Sequence, residues 1–232
     1  MVDYLLIRSN RKTIGIYIKD GGVEVRAPFR ASKAEIERFI CLKEKWIKVN
    51  LERSVLLKEA KGRFEPDYGG RLLYRGKEYP IVAKGGKRAG FEETDVDNMH
   101  FYVPAGLNSE QVKAACIRTY KALAKRVLID KTMAYAKRMN VTPCAVKINS
   151  AKGRWGSCSS VGCTGGLKNI NYSWRLITVD DFAMDYVIVH ELAHITQMNH
   201  STGFWELVES VLPDYKERKA RLKAQGAMLC TL

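Results

Sequence analysis

The residues of this chain best suited to chemistry lie in one short window. Residues 187–200 read VIVHELAHITQMNH and hold three of the four histidines, His190, His194 and His200, together with Glu191. His190 and His194 are spaced i, i+4. On an α-helix that spacing brings both imidazoles to one face, a turn apart, within reach of a single metal ion. The pattern H-E-x-x-H pairs two zinc ligands with a glutamate placed to act as general base on water. A tetrahedral catalytic zinc takes three protein ligands and keeps one position open. His200 completes H-E-x-x-H-x5-H, a spacing in which the chain turns sharply after the helix and returns a third histidine to the metal. Glycine usually makes that turn. Here the position is Gln197, so the bend is expected at Asn199, which tolerates a left-handed conformation. The alternative third ligand is a carboxylate from the following helix, Glu206 or Glu209.

The chemistry such a site supports is metal-assisted hydrolysis. One Zn2+ per chain, held by three neutral imidazoles, would bring the pKa of its water toward about 7. Glu191 would take the proton as the water attacks a carbonyl and deliver it to the leaving amine. The developing oxyanion needs a further donor, and Arg154, Tyr172 and Tyr186 are the candidates. Trp155 and Trp205 read as packing residues. The strand expected at 167–173 would offer an edge for an extended peptide, lined by Asn169 and Asn171. Two other readings stay open. The same site could hydrolyse a phosphoanhydride such as a nucleoside triphosphate, although no glycine-rich phosphate loop is present. Or the protein could be a protease docked on nucleic acid by its basic surface.

These residues must be held by a buried helix. Met184, Val187, Ile188, Leu192 and Ile195 predict one over about 179–198, with Thr178 and Asp181 as its capping box. Burying ionisable groups without partners costs several kcal/mol, roughly the net stability of a domain. A metal ligated by the imidazoles offsets that cost. Upstream, YLLIRS, TIGIYIK and VEVRAP read as strands, and Ser32 with Glu35 opens a long helix to about residue 58 carrying Ile36, Phe39, Ile40, Trp46, Ile47 and Leu51. RLLY, KEYPIVAK and MHFYVP are further strands, the last containing His100, read as a strand residue with a local partner. A second long helix runs from Asn108 to about Asn140. CAVKINS and LKNINYSWRLI are strands separated by the loop AKGRWGSCSSVGCTGG. Helices near 202 and after Pro213 close the chain. This order indicates an α+β fold, with a β-rich region at 1–107 and a catalytic region at 108–232 packed together.

Bulk properties exclude several classes. The chain has 232 residues, 46% of them hydrophobic, enough for a substantial core. No apolar run approaches the roughly 20 residues of a membrane span, and MVDYLLIRSN is too short for a signal peptide, so a cytoplasmic location is expected. The net charge of +14 suits a polyanion, but the cations are spread over helix faces such as Lys113, Arg118, Lys121, Lys125 and Arg126. The six cysteines are expected to be mostly reduced. Cys158 and Cys163 flank SSVG, a poor match to a zinc knuckle, and read as packing residues.

RWGSC (154–158), NYSWRLI (171–177) and DYVIVHELAHITQMNHSTGFW (185–205) together resemble the YgjP-like zinc metallopeptidases, relatives of the SprT-like proteases. The match covers about residues 144–212. The resemblance implies a gluzincin-like, or more broadly zincin-like, catalytic core, with His190, His194 and His200 as zinc ligands and Glu191 as the catalytic glutamate, acting on a peptide or protein substrate. VGCTGG (161–166) departs from the family's usual pattern by making a longer connection.

Overall fold

The computed structural model describes residues 3–19, 21–61, 65–93 and 99–226. Its contacts divide the chain between residues 64 and 65 into two compact units. In the first, β1 (Leu5–Ser9), β2 (Gly15–Lys19) and β3 (Gly22–Pro28) form a sheet with β3 central, parallel to β1 and antiparallel to β2. α1 (Lys33–Leu42) opens with the expected capping box. Ser32 Oγ accepts from the Glu35 amide at 3.2 Å, and Glu35 Oε2 accepts from the Ser32 amide at 2.7 Å. The single helix expected to residue 58 is in fact two. At Lys43 the chain tightens, its amide donating to the Ile40 carbonyl at 3.0 Å, and α2 then runs Glu44–Lys61. The one-residue break preserves the apolar phase, so Ile36, Ile40 and Ile47 still bury against Val23, Val25 and Ala27. Trp46, expected in that stripe, is 47% exposed.

The second unit is a four-stranded sheet and a three-stranded sheet tied together by one long helix. β4 (Arg71–Tyr74), β5 (Lys77–Lys84), β6 (Gly90–Glu93) and β7 (Met99–Pro104) lie in the order β4-β5-β7-β6. His100 on β7 meets Glu92 on β6 at 3.1 Å, the local partner expected of it. α3 (Ser109–Arg138) starts at a reciprocal cap between Asn108 and Gln111, both bonds at 3.0 Å. Its buried Tyr120 explains why residues 71–104 group with the helical part of the chain rather than with the N-terminal strands. The hydroxyl donates to the Leu73 carbonyl at 2.7 Å, while the ring meets Phe101 edge-on at 5.3 Å and stacks on Trp174 at 5.3 Å.

β8 (Ala145–Asn149), β9 (Gly156–Ser159) and β10 (Asn169–Ser173) follow, then a 3₁₀ turn over Trp174–Thr178, α4 (Asp181–Ala193), α5 (Thr202–Val211) and α6 (Tyr215–Gln225). The class is mixed α and β, as expected. Two local expectations change. WRLIT coils into the 3₁₀ turn instead of extending the strand, and GSCS, read as loop, is β9. Its four residues carry no apolar alternation; pairing with β10 makes it a strand. Among the described residues no helix is long and apolar enough to cross a membrane.

Candidate active site

The site is built on α4, and its start is fixed from three directions. Asp180 is the N-cap, one oxygen accepting from the Ala183 amide at 2.9 Å. The other accepts from Arg221 Nε at 2.6 Å and Gln225 Nε2 at 2.8 Å on α6. The β4–β5 turn inserts against the same end. Arg75 and Gly76 are both left-handed, and their amides donate to the carbonyls of Ile177 and Thr178 at 2.9 and 3.0 Å. Thr178 is therefore not the cap expected of it. Its hydroxyl turns back to the Arg175 carbonyl at 2.7 Å inside the 3₁₀ turn.

The helix stops at Ala193 rather than 198, with His194 as its cap. The Ile195 amide returns to Leu192 O at 2.9 Å and the Gln197 amide to Ala193 O at 2.9 Å. Lys168 Nζ donates to the carbonyls of His194 at 2.9 Å and Ile195 at 2.8 Å, placing a cation where the helix dipole is negative. This tightened turn makes the bend. Asn199 does not enter the left-handed region, since non-glycine residues with positive φ among those described are Arg75 and Asn140.

The bend brings His200 back to the helix. The ring centroids of His190, His194 and His200 lie 4.8–4.9 Å apart, and one ligand nitrogen from each falls within 4.8 Å of the others. The Nε2 atoms of His190 and His200 are 3.1 Å apart, close to the roughly 3.3 Å edge of a tetrahedron with zinc–nitrogen bonds of 2.0–2.1 Å. His194 Nδ1 meets the Gln197 carbonyl at 3.0 Å, leaving Nε2 to turn to the cluster. Burial, the other two histidines and Lys219 push His190 down to about 3. His194 is likewise lowered, by burial first. Three imidazoles with one nitrogen each converging on a common point are the donor set that a divalent transition-metal ion takes, so the residues fit one. Glu206 and Glu209 are exposed on α5, outside the only metal-holding cluster among the described residues.

Phe204 is the floor of this cage. It is fully buried, and its ring lies 5.0, 4.7 and 4.8 Å from those of His190, His194 and His200. Trp205 stacks on His200 at 5.7 Å and on Tyr215 at 5.4 Å, the packing role expected of it. Neither Phe204 nor Lys168 was legible as a site residue. Phe204 reads as one apolar position of an amphipathic helix, and Lys168 as one of many lysines.

Glu191 is 7% exposed, and burial pushes its carboxyl up to about 7 against the opposing pull of Arg154. It opens, with His190, on a cleft of about 270 Å³ lined also by Arg154, Trp155, Gly156, Tyr186, Val187 and Leu222. Two of the three expected oxyanion donors thus reach the cleft. Tyr186 stays protonated, pushed up to about 12 by burial, Glu191 and Tyr215. Tyr172 does not line it. The ring is fully buried, with the hydroxyl 3.3 Å from that of Thr132 on α3. Nor is β10 an edge, as had been expected. It is the central strand, parallel to β8 and antiparallel to β9. Asn169 is spent on the Val161 carbonyl at 2.8 Å, and Asn171 reaches the Ser157 carbonyl at 3.5 Å. The outer strand on the cleft side is β9. Cys158 and Cys163 are free thiols, as are Cys41, Cys116 and Cys144, and none joins a metal-holding cluster; Cys230 lies outside the described residues.

Comparison with curated proteins finds no match. Among solved structures, the crystal structure of the metallopeptidase zymogen of Pyrococcus abyssi abylysin matches at 23% identity and a TM-score of 0.38, covering 43% of this chain and 94% of that one. A family model described as the YgjP-like metallopeptidase domain matches residues 12–225. That match takes in both units of the fold, the histidine cluster and Glu191, and the chain belongs to the YgjP-like metallopeptidase family.

Proposed function

We propose that this metallopeptidase uses one zinc ion, held by His190, His194 and His200, and that Glu191 moves the proton in peptide-bond hydrolysis. Zinc, when bound, supplies Lewis acidity and brings the pKa of water toward about 7. Glu191 accepts the proton of the attacking water at a carboxylate oxygen and passes it to the leaving nitrogen. A carboxyl raised to about 7 is matched to both transfers near neutral pH. Arg154 and Tyr186 donate to the charge that develops on the carbonyl oxygen, and each lines the cleft beside Glu191. The walls made by Trp155, Val187 and Leu222 suit an apolar side chain next to the scissile bond. An extended substrate has the outer edge of β9 to pair with.

The convergence of three histidine nitrogens beside a buried, nearly unexposed glutamate carries this reading. Among the described residues lining the cleft, Arg154 is the sole cation, which favours a peptide over a polyphosphate. The test is Glu191→Gln. It is expected to keep one zinc per chain by metal analysis and to lower casein hydrolysis by at least about 100-fold. A variant that keeps its zinc and full activity removes Glu191 from the mechanism.

A further inference from the structure

The carboxylate of Glu191 has no hydrogen-bond partner among the described residues, yet it is 7% exposed. An acid or base must be aimed before it can work, and hydrogen bonds from neighbouring groups usually do the aiming. Here the side chain is oriented by the surface it lies against, and that surface is β9. A Cβ built on Gly156 would stand 2.7 Å from Glu191 Cγ, 2.9 Å from Oε1 and 3.0 Å from Cδ, closer than side chains tolerate. The backbone of Gly156 is not left-handed, so its φ does not call for glycine. It pairs with Tyr172 in the ladder, and the Trp155 carbonyl before it accepts from the Ser173 amide at 2.8 Å, so the strand cannot easily retreat.

We infer that Gly156 is a positioning residue: its missing side chain is the mould that sets the rotamer of Glu191 and turns the carboxylate into the cleft. This rests on the reading of Glu191 as the proton-transferring group, and it adds a determinant from a strand 35 residues earlier in the chain. An alanine at 156 would have to push Glu191 aside, because the strand is pinned on its other edge. Displacements on the order of 1 Å at a reacting group cost about 100-fold in rate.

The test is a double-mutant cycle on the full-length, zinc-loaded protein, read by fluorescein-casein hydrolysis, metal content and thermal unfolding. Gly156→Ala is expected to lower kcat by about 10- to 100-fold with KM within about twofold, and to leave bound zinc unchanged. It should also lower Tm. In the Glu191→Ala background the sign reverses. With the clashing atoms gone, alanine suits a strand better than glycine, so Gly156→Ala raises Tm and leaves the residual rate where it was. If Gly156→Ala alone does not fold, recovery of folding in the double variant supports the same contact. Equal loss of Tm in both backgrounds, or an unchanged kcat in the parent, overturns the inference. Full activity of Glu191→Ala would instead sink the proton-transfer role, while the stability arm would still report on the contact.

Discussion

Replacing Asp180 by alanine removes three bonds at the point where the site helix begins. The Ala183 amide loses its cap, which for Asp is worth about 1 kcal/mol. Arg221 loses its partner, but its side chain is 60% exposed, so the ion pair contributes at most about 1 kcal/mol. The Gln225 amide loses a bond worth about 0.5–1 kcal/mol net. The sum is about 2 kcal/mol, equivalent to a Tm fall of about 4–8 °C for a unit of this size. Asp180→Asn separates the contributions, because asparagine caps as well as aspartate and carries no charge. It should lose less than half as much, and the loss should shrink in high salt. The pH dependence has a definite sign. Burial raises the Asp180 carboxyl, but Arg221, the Ala183 amide and Gln225 outweigh it, and the net is below the usual range. A depressed acid stabilises above its unfolded pKa of about 3.9, and that contribution is lost as pH falls through the lower folded value. The Tm gap between parent and Asp180→Asn should therefore be full at pH 7 and narrow below about pH 4. Circular-dichroism melts of the three proteins at both pH values and two salt concentrations measure all of this. An Asp180→Ala protein that melts with the parent, or an Asp180→Asn protein that loses as much as Asp180→Ala, refutes the cap at 180.

Two further substitutions probe how the ligands are held. Lys168→Met strips the carbonyls of His194 and Ile195 of their donor, and should weaken zinc binding by roughly tenfold in a chelator competition while the fold persists; unchanged affinity would mean that the turn stands without it. Phe204→Ala opens a void beneath all three imidazoles and should cost about 3–5 kcal/mol in denaturant unfolding of the metal-free protein, with the metal-loaded protein losing zinc more readily; a cost below about 1 kcal/mol would deny Phe204 its place as the floor.

The placement of His190 and His194, the first two proposed ligands, on one face of a helix with Glu191 beside them was legible in the sequence because it depends only on helix geometry. An i, i+4 pair shares a face of any helix, whatever surrounds it. The apolar stripe of α1, its cap at Ser32 and the extent of α3 were readable for the same reason, being set within a few turns of chain. His200 was recognisable from its spacing, but the bend that returns it was not. It comes from Lys168 and a tightened last turn, where Asn199 had been the candidate. The same limit explains Thr178, which had the right spacing to Asp181 but was already committed to the 3₁₀ turn, leaving the cap to Asp180. Beyond those elements, partners distant in sequence decided the outcome. Four residues of GSCS became an outer strand because β10 paired with them, and Tyr172 was kept from the cleft by its burial beside Thr132 of α3. A residue's type and its near neighbours determine which bonds it can make within a few turns of chain. Which surface it meets across the fold is determined by packing, and that is where the floor of the histidine cage and the mould around Glu191 were made.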